Sequence, residues 1–188
     1  MDKDFTQPIS YHESVKDTKV VRFNHNRFID YFSELKPEGS ILDIGERNPL
    51  TKRLEKYFAT TIDSTIGDLD LQLCCFAREY DIVIFSQVIE HLFNPLFCLE
   101  NIKKVMHKDS ILIIGTPIKP GFITTATCHF HEMDNRNFKK LIARAGFKIT
   151  NWQRFYRYRN FRISGFFGIR PFIRMFYKCH SIVTCIKK

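Results

Sequence analysis

The chain predicts an alternating α/β fold built on an open, largely parallel sheet, and three observations carry that prediction. Two short apolar runs, Ile41-Leu-Asp-Ile44 and Asp81-Ile-Val-Ile-Phe85, each break into Gly or Ser, and a helical pattern starts a few residues later. A third run, Ser110-Ile-Leu-Ile-Ile-Gly115, follows a segment with helical spacing. The 188 residues, 44% of them hydrophobic and including 19 Phe, are ample for one core and too few for several. Ligands of such sheets bind beyond the carboxyl ends of the strands. The polar residues that end each run are therefore the first functional candidates.

Each element can be justified in order. Residues 1 to about 20 mix charges and turn formers without periodicity. Arg22 to Leu35 then places Phe23, Phe28, Ile29, Phe32 and Leu35 close to helical spacing, before Lys36-Pro37-Glu-Gly39 stops the helix. The first strand is Ile41–Ile44. A helix from Leu50 to Phe58 follows, its apolar face formed by Leu50, Leu54, Tyr57 and Phe58. Thr60-Thr-Ile-Asp63 reads as the second strand and Gly67–Gln72 as a shortened third, with little room for a helix between them. The fourth strand, Asp81–Phe85, leads to a helix from Pro95 to Met106, where Leu96, Leu99, Ile102, Val105 and Met106 recur at helical spacing. The fifth strand is Ser110–Gly115. An irregular stretch, Thr116 to His131, precedes a helix over Asn135–Ala145, a sixth strand over Phe147–Phe155 and a last strand over His180–Lys187.

Four segments in this order, Ser40-Ile-Leu-Asp-Ile-Gly45, Ser86-Gln-Val-Ile-Glu-His91, Ser110-Ile-Leu-Ile-Ile-Gly-Thr-Pro117 and Ala143-Arg-Ala-Gly-Phe-Lys-Ile149, carry a family likeness. Over roughly residues 35 to 150 the chain resembles the class I S-adenosylmethionine-dependent methyltransferases of the small-molecule type, whose fourth strand runs into an E-x-x-E-H or S-x-x-x-E-H segment. The resemblance implies a Rossmann-like, three-layer α/β/α sandwich with a mostly parallel seven-strand sheet. Its last strand would run antiparallel between the fifth and sixth. One domain would span 1–188, with 1–35 as lead-in and helix beside the cofactor cleft, and 160–178 as an insertion.

The resemblance also implies S-adenosylmethionine as cofactor, and the residues supply partners for each of its parts. Gly45 permits close backbone approach to the amino acid portion, and Asp43 stands where the family uses an acidic residue near the amine. Asp63, twenty positions on, closes the second strand, where a carboxylate accepts both ribose hydroxyls. Asp68-Leu69 or Asp70-Leu71 would bracket adenine, and sequence leaves the choice open. Ser86 and Gln87 line the methyl donor. The loop after Gly45 departs from the family: Glu46-Arg47-Asn48-Pro49 replaces the usual alternating glycines. Either Arg47 and Asn48 point outward, or the pocket is altered.

On the acceptor side, His91 is the candidate general base, since an acceptor hydroxyl loses a proton as the methyl transfers and imidazole titrates near neutrality. Glu90, Thr116, His129 and His131 are the candidate acceptor contacts. His129-Phe-His131 invites a metal reading, but two histidines need at least one further ligand and none is evident in sequence, so no metal is expected.

The net charge of +9 conceals an asymmetry. All 14 charged residues after Asp134 are Lys or Arg, which leaves residues 1–134 at −5. Within that tail, 160–178 interleaves Phe166, Ile169, Phe172 and Phe176 with Arg170, Arg174 and Lys178, an amphipathic basic segment suited to the sheet edge or to an anionic membrane surface. Nucleic acid is not favoured, because no recognised binding motif accompanies the charge. The six cysteines lack C-x-x-C spacing and sit in apolar contexts that suit reduced thiols. No stretch is long enough to span a bilayer and the start lacks a signal-peptide pattern, so a cytoplasmic protein is expected. The expected activity is methylation, at oxygen, of a small-molecule or lipid-linked acceptor. The alternative is a catalytically inactive methyltransferase-like binding or regulatory module.

Overall fold

A computed structural model describes residues 19–36, 38–71, 78–118, 129–131, 133–156 and 179–188. Six strands join in one sheet: β1 (Ile41–Asp43), β2 (Ile62–Ser64), β3 (Tyr80–Ser86), β4 (Met106–Ile118), β5 (Phe147–Tyr156) and β6 (Cys179–Lys187). Their spatial order is β2-β1-β3-β4-β6-β5. The pairs β1·β2, β1·β3 and β3·β4 are parallel, whereas β6 lies antiparallel between β4 and β5. The last strand therefore sits between the fifth and sixth strands of the sequence reading, as expected.

The strands are almost uniformly apolar because helices cover both faces. On one face α1 (Lys19–Leu35) and α2 (Pro49–Phe58) bury Phe28, Ile29, Tyr31, Phe32, Leu50 and Leu54 against Ile41, Ile62, Ile82, Ile84 and Ile113. On the other, α3 (Pro95–Lys104) and α4 (Asn135–Arg144) bury Cys98, Leu99, Ile102, Phe138 and Ile142 against Leu42, Val83, Phe85, Leu112 and Val183. The buried Tyr31 hydroxyl meets the Thr184 hydroxyl at 2.5 Å, so α1 and β6 share a satisfied polar contact. Cys98 and Cys185 are buried thiols outside any disulfide, and burial pushes the Cys185 thiol up to about 12.

Two expectations change. The helix expected to reach Met106 stops at Lys104, because Val105 and Met106 already serve the sheet: the Tyr80 amide donates to the Val105 carbonyl at 2.9 Å. The Gly67–Gln72 segment is not a strand over its described residues, and the sheet has six described strands instead of seven. Only Thr65 and Ile66 separate β2 from Gly67, whereas a parallel neighbour needs a crossover of about a dozen residues. The segment turns instead. Asp68 accepts the Asp70 amide at 2.9 Å, and the Asp70 carboxylate accepts the amides of Phe93 and Asn94 at 3.0 and 2.6 Å, just ahead of α3. The basic aromatic stretch 160–178 lies outside the described residues. No described helix is long and apolar enough to cross a membrane.

Candidate functional site

Strand order reverses on either side of β1: the chain steps outward to β2, then crosses back to β3. The crevice outside the carboxyl ends of β1 and β3 is the topological switch point where open α/β sheets take ligands. Gly45 flanks it on one side and Ser86 to His91 on the other.

On the β1 side, Gly45 adopts φ +116°, a backbone conformation natural to glycine. Its amide donates to the Thr65 hydroxyl at 2.6 Å, which pins the turn. A Cβ at this position would meet Val88 at 3.4 Å and no other atom within 4 Å, so Gly45 faces open space. Two of the side chains that replace the usual glycines are engaged on α2. Arg47 pairs with Glu55 on α2. Asn48 caps α2, accepting the amides of Leu50 and Thr51, while Thr51 returns the contact through its hydroxyl, a reciprocal capping box. Arg47 is thus half-exposed and held on α2, whereas Asn48 turns into the α2 cap and toward Asp43.

Asp43 is 2% exposed and lies beneath this loop instead of in the crevice. Its carboxylate accepts from the Thr51 hydroxyl at 2.5 Å and from the Asn48 amide at 3.4 Å. Burial pushes its pKa up to about 7, only partly countered by those two donors. Its part is to join loop to helix. Asp63, at the end of β2, is partly exposed. Hydrogen bonding by Tyr80 and then Arg78 lowers its pKa. Both donors engage Oδ2, and no described residue bonds Oδ1. Asp68 is spent on its own turn, and Leu69 is buried in the core. Asp70, the other adenine candidate, is committed to the amides ahead of α3.

On the β3 side, Gln87 takes φ +57°, a conformation unusual for a residue with a side chain, and its amide bonds the Gly115 carbonyl at 2.7 Å. Gly115 makes room for this corner. A Cβ there would fall 2.8 Å from the Ser86 hydroxyl and 3.2 Å from the Phe28 ring, so α1 reaches the crevice edge. A 3₁₀ turn, Ile89–His91, comes next. Glu90 is 1% exposed, and its carboxylate accepts from the buried Thr116 hydroxyl at a long 3.4 Å. Its backbone carbonyl accepts the amides of both Phe130 and His131, at 2.8 and 3.1 Å. That double bond anchors the loop after β4 above the end of β3.

The two loop histidines part company. His131 donates its Nε2–H to the Phe93 carbonyl at 3.2 Å, under a stacked Phe93–Phe130 pair with centroids 4.0 Å apart. His129 instead meets His91 edge-to-face, with ring centroids 4.7 Å apart. Ligand atoms of Glu90, His91 and His129 all lie within 4.8 Å of one another. The metal-capable partners that sequence did not reveal beside His129 are thus two, Glu90 and His91, supplied from 39 and 38 positions upstream, and His131 is not among them. The only sequence signal was the adjacent Glu90-His91 pair at a strand end.

No family model matches the chain, and no curated protein matches it in sequence. Solved structures do match. An S-adenosylmethionine-dependent methyltransferase from Archaeoglobus fulgidus superposes with a TM-score of 0.64 at 15% identity, over 89% of this chain and 94% of that one. The fold is that of class I methyltransferases. A second member of that fold is the 1,6-didemethyltoxoflavin N1-methyltransferase of Burkholderia thailandensis, with bound 1,6-didemethyltoxoflavin and S-adenosylhomocysteine. It matches at TM-score 0.61 and 14% identity, over 95% of this chain and 84% of that one. The magnesium protoporphyrin IX methyltransferase of Synechocystis, with bound S-adenosylhomocysteine, matches at 0.56 and 13%, over 90% and 86%. The class I methyltransferase fold thus holds across the whole sheet while sequence identity stays low.

Proposed function

We propose that the chain is an S-adenosylmethionine-dependent methyltransferase that methylates an oxygen of a small-molecule acceptor. The observation that carries this reading is the pairing, on the β1–β2 side of the crevice, of the space beside Gly45 with Oδ1 of Asp63, which no described residue bonds. An ionised, partly exposed carboxylate with one oxygen held by Tyr80 and Arg78 is oriented to accept ribose hydroxyls on the other. Gly45 leaves room for the amino acid end of the cofactor. When bound, the cofactor supplies an electrophilic methyl group.

The remaining work is done by the chain's own side chains. Ser86 and Gln87, held by the Gly115 contact, border the donor. Thr116 and His129 border the acceptor from the far side. His91 lies where an acceptor hydroxyl would present its proton, and imidazole is a competent base at neutral pH. Much of the acceleration would come from alignment of acceptor and donor within this walled crevice. The engagement of Arg47 by Glu55 on α2 supports the active reading over that of an inactive module. The stretch 160–178 is the candidate for contact with a lipid-linked acceptor or an anionic membrane.

Calorimetric titration with S-adenosylhomocysteine tests the proposal. Saturable binding that falls about 30- to 100-fold in Asp63→Ala is expected from the loss of charge-assisted hydrogen bonds. Absence of binding to the folded wild-type chain refutes it.

A further inference from the structure

We propose that Glu90, His91 and His129 form a binding site for one first-row transition-metal dication, Zn²⁺ or Mn²⁺, on the acceptor side of the crevice. Three observations point to it. The three side chains offer two imidazole nitrogens and one carboxylate oxygen within 4.8 Å of one another. Ligands bound at about 2.1 Å in a tetrahedral shell stand roughly 3.4 Å apart, so side-chain rotation of about 1 Å closes the set. The His91 and His129 rings are already in contact, edge-to-face at 87° with centroids 4.7 Å apart, so a turn of one ring is enough to present both imidazoles to a shared cation.

The site is also held from outside. Glu90 is 1% exposed, so its carboxylate is held within the fold and does not wave in solvent. The Thr116 hydroxyl aims at Glu90 Oε2, the outer-sphere contact that orients a carboxylate ligand. The Glu90 carbonyl grips the amides of Phe130 and His131, and the Phe93 carbonyl takes the His131 ring. These bonds fix the loop that delivers His129, although 38 residues separate it from His91. A His₂-carboxylate set selects borderline cations over Mg²⁺, which prefers an all-oxygen octahedral shell.

Three protein ligands leave at least one position for an acceptor oxygen. The cation site stands on this geometry alone, whereas its catalytic use rests on the methyl-transfer reading. In that use the cation lowers the pKa of a bound acceptor hydroxyl, and the proton leaves to solvent. The oxygen lone pair then forms the new bond to the methyl carbon as the sulfonium carbon–sulfur bond breaks and its electrons return to sulfur. His91 then serves as ligand in place of base, and the acceptor class narrows to hydroxyl compounds.

The test uses chelator-treated full-length protein. Mn²⁺ is titrated under electron paramagnetic resonance and Zn²⁺ under calorimetry, each with and without S-adenosylhomocysteine. One saturable site per chain is expected, weakened at least about tenfold in His91→Ala and in His129→Ala, since loss of outer-sphere partners alone costs 10- to 100-fold. His107→Ala, whose ring serves Asp81 instead, should bind as the wild type does. Circular dichroism melts confirm that each variant is folded. Absence of saturable Mn²⁺ and Zn²⁺ binding overturns the proposal, as does binding that both histidine variants retain. If S-adenosylhomocysteine binds and neither cation does, the cation site is sunk and the methyltransferase reading stands; if a cation binds and S-adenosylhomocysteine does not, the reverse holds.

Discussion

The two sides of the crevice are built on opposite principles. On the β1–β2 side nearly every polar side chain is committed within the chain: Asp43 to Thr51 and Asn48, Asn48 to the α2 cap, Arg47 to Glu55, one oxygen of Asp63 to Tyr80 and Arg78. What remains for a ligand is a bare glycine and one carboxylate oxygen. On the β3–β4 side Glu90, His91 and His129 converge from two loops onto one point. The first side suits a ligand of constant shape that needs clearance and a single charged anchor. The second suits chemistry that depends on side-chain donors, two of which follow β3 while His129 comes from the segment after β4.

This contrast can be broken or sharpened by experiment, and the largest effect is expected at Asp43. Its pKa, raised to about 7 from 3.8, means that the folded chain binds the proton more tightly than the unfolded one. The contribution of Asp43 to stability is therefore fully present below pH 4 and is lost as pH rises from 4 to 7. Asp43→Asn should remove that slope, so the stability difference between wild type and variant changes by about 4 kcal/mol across the window. Urea denaturation at several pH values measures it, and parallel curves would show that the joint beneath the loop is solvated.

Gly45→Ala comes next. A side chain at φ +116° strains the backbone by about 1–2 kcal/mol, and its methyl enters the open space. S-adenosylhomocysteine affinity should drop about tenfold while Mn²⁺ affinity on the other side is unchanged. Equal losses at both would mean that the two sides act as one unit. Asn48→Ala removes the α2 cap and should cost about 1 kcal/mol of stability in thermal melts, with a fall in cofactor affinity as the loop loosens. The smallest change is expected for Gln87→Gly, which relieves a left-handed residue and should stabilise the chain by roughly 0.5–1 kcal/mol. If it destabilises instead, the Gln87 side chain makes contacts that outweigh the strain.

The strands were legible because buried parallel strands must be apolar and end in turn formers, as Ile41–Asp43 and Tyr80–Ser86 do. The α2 cap was partly legible too, since Asn48-Pro49 ahead of an apolar stripe marks a helix start. The expected short third strand, Gly67–Gln72, is a turn over its described residues, because two residues of spacing deny it the crossover it needs.

The amino-acid sequence by itself determined the order of strands and helices, the position of the crevice and the identity of the residues at its rim, since periodicity and turn chemistry are local properties of the chain. Only the tertiary structure decided what those rim residues do. Asp43 sank beneath the loop, Arg47 paired with Glu55, and His129 joined Glu90 and His91 while His131 turned aside. Each outcome depends on which backbone amides and carbonyls lie within about 3 Å once distant segments meet, and that distance is not encoded in any one segment's spacing.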